Sequence, residues 1–211
     1  MSPDAVGAAS LVLTTDLLAA LRAHHPATVA HSLRVARLVA RIAPHLPGEP
    51  WRGRIAEVYA AAALHDIGKL RTPLTLLTAA RALSAAEWAV MVKHPGDGVA
   101  LIERATDHTH APLSCVSPLL AAAAWGHHAW WDGAERGYPH HLRGEDISPI
   151  ARLVAIIDVF DAMTAEDRPY RPPLAPAAAL QEVARGAGTQ FEPALVRWVL
   201  AHGVLDDEVA A

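Results

Sequence analysis

Five histidines and two aspartates recur along the chain at intervals of about one helix and its loop. They are His31, His65, Asp66, His94, His127, His128 and Asp158. Imidazole together with carboxylate suits manganese, iron, zinc or nickel, whereas magnesium and calcium prefer oxygen ligands. In the adjacent pair His65-Asp66, the histidine can serve one ion while the carboxylate bridges two. Two ions about 3.5–4 Å apart form the usual clamp for phosphoryl displacement, activating a hydroxide and holding the phosphate oxygens.

Each of these residues has a simpler interpretation when it is taken alone. A lone histidine on a helix, such as His31, is more often a core or surface residue than a ligand. Asp158 is harder to explain, because the sequence LVAIIDVFDAM surrounds it with apolar residues and a buried carboxylate needs a partner. A salt bridge from Arg34 or Arg37 is the alternative for Asp158. Taken together and in order, the residues favour a metal centre.

Lys69 follows Asp66 by three residues in the sequence HDIGK. We expect Gly68 to break the helix and to let Lys69 turn back toward the site. There its ammonium can hold a phosphate oxygen or help the leaving group. A solvated surface lysine is the alternative, and it is disfavoured because every basic residue other than Lys69 and Lys93 is arginine.

Helical periodicity runs through nearly the whole chain, and strand signals are almost absent. We expect a short helix to about residue 23, capped by Thr15 or Asp16, and a second helix over 26–42. Pro26 suits the first position of that second helix. Pro50 is expected to open a third helix that reaches about residue 66. The pattern predicts a single all-α domain of about seven to nine helices.

The second half of the chain continues the pattern. Ser84 and Glu87 form a capping-box pattern and predict a helix that ends at His94, and another helix follows Gly98. The remaining expected elements are an Ala-rich helix over 112–128, a long loop over 131–147, an apolar helix over 148–165 and two short helices, the last of which opens at Pro193.

Composition limits the classes of protein that fit this sequence. The 211 residues are 52 % hydrophobic and 19 % charged, which excludes a disordered chain. A formal charge of −4 leaves no basic footprint, so no nucleic-acid polymer is expected as a partner. The single cysteine, Cys115, excludes an internal disulfide framework and fits a reducing compartment. Without a charged signal-peptide start or a long enough apolar stretch, we expect a cytoplasmic protein with no membrane segment.

These residues resemble the HD-GYP domains, a bacterial branch of the HD-domain metal-dependent phosphohydrolases. The resemblance runs from about His31 to Ala194. It is carried by the segments HSLRVARL, ALHDIGKL, KHPGDG, WGHHAWWDGAERGYP, LVAIIDVFDAMTAEDRPYR and GAGTQFEPALV. We accordingly expect an N-terminal helical extension over 1–25, an HD-GYP-like domain over 26–205 and an acidic tail over 206–211.

The resemblance implies an all-helical fold with a centre of two metal ions, most often iron or manganese. It also implies hydrolysis of cyclic di-GMP to pGpG, and in some members onward to GMP, by a hydroxide that the two metals activate. By carry-over, Asp66 would bridge the two ions. One ion would take His31, His65, Asp66 and Asp158, and the other would take Asp66, His94, His127 and His128.

The resemblance further implies the substrate contacts and partners. Lys69 would contact phosphate, and Asp161 would lie near Lys69. Arg168 and Arg171 would approach the substrate phosphates, because the arginine side chain can donate two hydrogen bonds to a phosphate group. The signature residues Gly137, Tyr138 and Pro139 would line the substrate. A GGDEF-domain cyclase or a separate regulatory protein is an expected partner. We expect the apolar segment 11–21 either to pack on the domain or to form the interface of a homodimer.

Three positions depart from the family pattern. Ala129 stands where the family usually has a glutamate after the paired histidines. The residues Ala134, Glu135 and Arg136 lengthen the signature loop by two residues, and Glu135 is a candidate to replace the lost carboxylate. Ala27 occupies the place where some members carry a glutamate for a third ion, so we expect two ions.

Four functions stay open at this point. The first is a cyclic di-GMP phosphodiesterase with a complete ligand set. The second, favoured by the altered loop, is an HD-type phosphohydrolase for another nucleotide or cyclic dinucleotide. The third, favoured by Ala129, is a catalytically weak module that binds cyclic di-GMP or a cyclase, and the fourth is a di-iron oxygenase. Trp125, Trp130 and Trp131 surround the histidine pair, where they pack in the core or where Trp130 or Trp131 stacks on a guanine base.

Overall fold

A computed structural model describes residues 3–48, 51, 53–108, 117–139, 141–166 and 172–205. The described residues form α-helices, short 3-10 helices and loops, with one isolated β-bridge, so the all-α prediction is confirmed. The 3-10 helices span Ala43–His45, Ile67–Arg71 and Gly144–Asp146. The α-helices are α1 (Pro3–His24), α2 (Pro26–Ile42), α3 (Ile55–Ala63), α4 (Leu74–Leu77), α5 (Ala85–Met91), α6 (His94–His108), α7 (Pro118–Gly126), α8 (Pro149–Thr164), α9 (Pro176–Arg185) and α10 (Pro193–Ala201).

Local signals start most of these helices where the sequence predicts. Proline fits the first helical turn because its missing N–H is unpaired there in any case. Ser84 and Glu87 form the expected capping box at the start of α5. The proline-led helices are α2, α7, α8, α9 and α10. Pro50 and Pro112, the expected starts of two helices, lie outside the described residues.

The core is built around α3 and α8. Helix α3 packs against α1, α2 and α7, and α8 packs against α2, α7 and α9. Residues 60–63 of α3 are all alanine and fully buried, so neighbouring helices approach it closely. Helix α8 supplies larger side chains to the same core, and its fully buried residues include Ile150, Leu153, Ile156 and Ile157.

Helix α1 starts earlier than the sequence analysis expected. Thr15, one of the two predicted caps, lies inside the helix, and its hydroxyl donates to the Leu11 carbonyl at 2.9 Å. Such back-bonding is what threonine does in a helix interior. The apolar face of α1 packs into the main core through Leu13, Leu18 and Leu21.

Helix α1 is also long and apolar enough to cross a membrane by length and composition alone. This apolar segment is Asp4–His24, and about a third of it is buried inside the fold. A core helix of a soluble protein passes the same test, so this observation is weak evidence for a membrane span.

Two further helix boundaries differ from expectation near the motif residues. Helix α5 ends at Met91, and His94 begins α6 rather than ending the helix before it. Pro95 explains this, because proline disrupts a helix interior and is tolerated in a first turn. Helix α3 ends at Ala63, so the pair His65-Asp66 lies in the turn that leads to the 3-10 helix Ile67–Arg71.

Candidate metal centre

The seven predicted ligands converge from five regions of the chain into two adjacent groups. Within each group the candidate ligand atoms lie within 4.8 Å of one another. We call the first the Asp158 group; it consists of His31, His65 and Asp158. We call the second the His94 group; it consists of Asp66, His94, His127 and His128. The family resemblance divided these residues in the same way, except that it assigned Asp66 to both ions; their role as ligands stays a prediction.

Asp66 lies between the two groups and turns one oxygen toward each. Its Oδ1 is 3.3 Å from His94 Nε2 and 3.7 Å from His127 Nε2. Its Oδ2 is 3.5 Å from His65 Nε2 and 3.9 Å from His31 Nε2. A carboxylate in this position is able to bridge two cations, one held by each group.

Main-chain carbonyls fix the orientation of three histidines. A carbonyl only accepts, so each Nδ1 must carry the proton and each Nε2 lone pair is left facing the centre. An imidazole held in this way is the usual arrangement of a metal ligand. The Nδ1 contacts are His65 to Ala62 O (2.7 Å), His94 to Met91 O (2.9 Å), and His127 to Ala123 O and Ala124 O (both 3.1 Å).

His31 is oriented by a carboxylate instead. Its Nδ1 donates to Asp161 Oδ2 at 2.7 Å, and Arg34 Nε donates to Asp161 Oδ1 at 2.8 Å. On the other side of the ring, His31 Nε2 lies 2.9 Å from Asp158 Oδ1. Asp161 therefore positions His31, and the arginine that we weighed as a partner of Asp158 pairs with Asp161.

Charges and burial give these groups unusual proton affinities. Burial lowers the pKa of His31, but hydrogen bonds to Asp158 and Asp161 outweigh it and raise that pKa to about 9. Burial lowers the pKa of His94 to about 3 and, together with the neighbouring histidines, holds the pKa of His128 well below its usual value. Burial raises the pKa of Asp66, but the charge of Lys69 and the surrounding imidazoles bring it well below the usual range.

These features fit a pair of divalent transition-metal ions. Among the described residues, His65 Nε2 and Asp66 Oδ1 are buried atoms without any hydrogen-bond partner. Leaving a buried polar atom unpaired costs about 1–3 kcal/mol, and a cation in each group would satisfy one of these two atoms. The lowered pKa values of His94, His128 and Asp66 favour the neutral imidazoles and the ionised carboxylate that metal binding requires, whereas an ion beside His31 would have to displace its proton.

Lys69 reaches the centre by a route that differs from the expected one. Its Nζ donates to Asp66 Oδ2 at 2.5 Å, and its side chain remains partly exposed. Gly68 breaks no helix, because α3 has already ended. A Cβ at Gly68 would lie 1.8 Å from the His94 carbonyl oxygen and 2.6 Å from the Gly98 nitrogen, so glycine is required for the close contact with α6.

The lengthened signature loop still brings Tyr138 to the centre. The backbone N–H of Gly137 donates to the Ala134 carbonyl at 2.9 Å, which closes the inserted residues into a turn. The Tyr138 N–H then donates to the His128 carbonyl at 3.0 Å, and the two rings lie 4.7 Å apart. Gly137 is needed because a Cβ there would lie 2.5 Å from the Trp130 nitrogen.

The remaining departures take these positions in the structure. Ala129 is buried beside Ile147 and Ala151, so an apolar contact occupies the place of the usual glutamate. Glu135 is exposed and makes no hydrogen bond or ion pair with the described residues, and Ala27 is also exposed. Arg168, Arg171, His140 and Cys115 lie outside the described residues, as does the predicted acidic tail.

Two residues near the centre were not assigned by the sequence analysis. Arg34 follows His31 by three residues on one helix. This spacing places both side chains on one face, and from it the position of Arg34 near the centre could have been predicted. His25 lies at the start of α2, where its Nδ1 is 2.7 Å from the Thr28 hydroxyl. Burial and the charge of Lys69 lower the pKa of His25, and its sequence context carries no signal for this position.

Comparisons with known proteins agree with this geometry. A family model described as an HD domain matches residues 16–195. The chain is 38 % identical over 195 residues to the 3'3'-cGAMP-specific phosphodiesterase 2 of Vibrio cholerae, covering 90 % of this chain and 34 % of the relative. It is 34 % identical over 183 residues to a cyclic di-GMP phosphodiesterase of Vibrio cholerae, covering 82 % of this chain and 36 % of the relative.

A solved structure supports the same fold. It is an HDG"Y"P protein from Bdellovibrio bacteriovorus, with a TM-score of 0.63 and 19 % identity over 87 % of this chain and 53 % of that one. The chain spans about a third of the length of the curated relatives described above. The matched family model and the relatives together show that this chain belongs to the HD-domain family, in its HD-GYP branch.

Proposed function

We propose that this chain is a metal-dependent phosphodiesterase that hydrolyses a cyclic dinucleotide, with cyclic di-GMP to pGpG as the leading reaction. The observation that carries the proposal is the pair of buried groups joined by Asp66, with unpaired atoms on His65 and Asp66 facing the centre. Two divalent ions in such a site supply a water of lowered pKa and neutralise charge on phosphate oxygens.

The ligand types support divalent transition-metal ions, and the family resemblance favours iron or manganese among them. His31, His65 and Asp158 would hold one ion, and the His94 group would hold the other through its three imidazoles and Asp66. Imidazole-rich sites of this kind suit transition metals rather than magnesium or calcium. We propose two ions rather than three, because Ala27 offers no ligand atom.

The remaining residues bind and orient. Lys69, partly exposed beside Asp66, is placed to hold a phosphate oxygen as negative charge develops. Asp161 acts through His31, whose ring it fixes with the help of Arg34. Burial raises the pKa of Tyr138, so its hydroxyl stays protonated at neutral pH and is available as a hydrogen-bond donor at the edge of the site. Gly137 and Pro139 hold that tyrosine, and Arg168 and Arg171 remain the proposed phosphate contacts.

Two alternatives have an observation in their favour. Hydrolysis of 3'3'-cGAMP is supported by the activity for which a relative at 38 % identity is named. A weak or inactive module that binds cyclic di-GMP or a GGDEF-domain cyclase is supported by the apolar environment of Ala129. A cytoplasmic location belongs to the same proposal, as does a homodimer formed through the exposed Leu11 and Val12 of α1.

Direct turnover tests the proposal. The protein is purified without oxygen, loaded with Fe(II) or Mn(II), and incubated in parallel with cyclic di-GMP and 3'3'-cGAMP, and products are identified by mass spectrometry. We expect a metal-dependent linear dinucleotide, and no product from Asp66→Ala protein. Tight binding without product from metal-loaded protein would favour the signalling module. The absence of both binding and product would exclude cyclic dinucleotides as ligands.

A further inference from the structure

An exposed tryptophan stands beside the signature tyrosine. Trp88 on α5 is 50 % exposed, one of the few large apolar side chains at the surface of the described residues. Its ring meets Tyr138 edge to face, with the centroids 6.0 Å apart. The Tyr138 ring in turn lies 4.7 Å from His128 and 6.1 Å from His94. We call Trp88 and Tyr138 the aromatic corner; it adjoins the His94 group.

The tryptophans that surround the histidine pair are already covered. The guanidinium of Arg136 lies over the Trp130 ring at 4.4 Å, and that of Arg152 lies 5.5 Å from the Trp131 ring. These contacts favour a packing role for both indoles over the base stacking that we considered for them. Trp88 has the Tyr138 edge beside it and half of its surface open.

Core packing does not explain the position of Trp88. Helix α5 has no buried residue, so no hydrophobic contact with the core fixes it in place. Its first turn is fixed instead by the Ser84–Glu87 capping box, and Arg81 pairs with Glu87 through two hydrogen bonds of 2.8 and 2.7 Å. The capping box and the Arg81–Glu87 pair stabilise this short exposed helix, and we infer that they serve to hold its side chains in position.

The far end of α5 is tied directly to the metal centre. The Met91 carbonyl, which ends the helix, accepts the hydrogen bond from His94 Nδ1 at 2.9 Å. Trp88 precedes Met91 by three residues, one turn earlier on the same helix. The indole is therefore held at a fixed offset from a candidate metal ligand, and little ordering is needed when a ligand arrives.

We propose that Trp88 is a substrate-binding residue that stacks on one purine base of the cyclic dinucleotide while the phosphate lies at the metal centre. This inference rests on the proposed function and names a substrate contact for it. Aromatic side chains bind bases by stacking because every base has a π-face, and the contact tolerates changes of base. Trp88 therefore recognises a nucleotide base without choosing guanine over adenine.

The test uses steady-state kinetics of metal-loaded Trp88→Ala, Trp88→Phe and wild-type protein on cyclic di-GMP and 3'3'-cGAMP. We expect Trp88→Ala to raise KM about tenfold on whichever substrate is hydrolysed, with kcat changed by less than about twofold. Trp88→Phe should recover most of the loss, since it restores an aromatic face. Metal content should remain that of wild type in both variants.

Trp198→Ala is the matched control. Trp198 lies on α10, where it stacks on His202 at 4.2 Å and lines a different cavity with Leu46 and Trp51. It should leave KM unchanged. An unchanged KM in Trp88→Ala, with active wild-type protein, would overturn this inference and leave the proposed function intact. Loss of metal from Trp88→Ala would overturn it too, since the indole would then act through His94. A wild-type protein inactive on both substrates would remove the proposed function and this inference with it.

Discussion

The two halves of the metal centre are held in place by partly different means, although His65 in the Asp158 group donates to a main-chain carbonyl just as the fixed histidines of the His94 group do. In the Asp158 group, His31 is fixed by the side chains of Asp161 and Arg34, and Asp158 adds a second carboxylate within 2.9 Å of its ring. In the His94 group, the fixed imidazoles donate to main-chain carbonyls, and Asp66 supplies the carboxylate.

One half of the centre is therefore distinguished by the charged side chains around it, and the other by the backbone that fixes its imidazoles. Two carboxylates, those of Asp158 and Asp161, face His31, and Arg34 offsets one of them. In the His94 group, Lys69 offsets the one carboxylate, that of Asp66. The surroundings of the Asp158 group therefore keep more negative charge and should attract a divalent ion more strongly. The His94 group takes its geometry from helix ends that side-chain substitution cannot remove. We therefore expect the first group to be sensitive to nearby point mutations and the second to be sensitive to movement of the backbone.

The largest effect should come from Gly68→Ala, which pushes the two halves apart. The new Cβ would meet the His94 carbonyl oxygen at 1.8 Å, so the turn that carries Asp66 must move away from α6. We expect loss of both ions and of turnover, with a fall in Tm of about 5–10 °C, measured by metal analysis and thermal melting.

Gly96→Ala is the control for this prediction. It adds the same methyl group in the first turn of α6, where the nearest atom is Trp125 Cζ3 at 3.5 Å, an ordinary contact. Wild-type metal content in Gly68→Ala would show that the spacing between the two groups is not set by this backbone contact.

Asp161→Ala should weaken the Asp158 group alone. The variant removes the carboxylate that orients His31 and that accepts hydrogen bonds from Arg34. Loss of such an outer partner typically weakens metal affinity by about 10–100-fold. Titration of metal-free protein with Mn(II) should show one weakened site and one unchanged site. Asp16→Ala, at an exposed position on α1, is the control; equal weakening of both sites would contradict the comparison.

Graded removal of metal should sharpen the same comparison. Once His31 has lost its proton, above about pH 9, the greater negative charge around the Asp158 group predicts an affinity at least about tenfold higher than that of the His94 group. Dialysis against rising chelator should therefore pass through a plateau at one ion per chain. Asp158→Asn should abolish the plateau, and simultaneous loss of both ions from wild-type protein would mean that the two sites are equal.

Glu135→Ala should have the smallest effect. Glu135 is exposed and unpaired among the described residues, so turnover and metal content should stay within about twofold of wild type. A clear loss of metal on assay would instead support Glu135 as the replacement for the carboxylate missing at Ala129.

The candidate ligands were the most predictable part of the molecule, because each lies in a short motif of distinctive residue types. The partner of Arg34 was not predictable. Asp158 and Asp161 are three residues apart and share one face of α8, so the rotation of α2 against α8 decides which of them the arginine meets.

The helix boundaries show the same limit in local terms. Pro95 was a usable signal for the start of α6, whereas hydroxyl side chains are ambiguous. Thr15 has the chemistry of a cap but donates back to Leu11 inside α1. The role of Trp88 depends on Tyr138, which lies 50 residues further along the chain and meets it only after folding.

The alanines of α3 have a consequence for the thermal behaviour of the centre. Residues 60–63 are fully buried, and the turn with His65 and Asp66 follows them directly. Alanine has no side-chain rotamers, so its burial freezes no side-chain entropy and leaves none to be regained on warming. The helical segment that precedes His65 and Asp66 therefore gains no side-chain freedom on warming. We expect the positions of these two residues to change little as temperature rises.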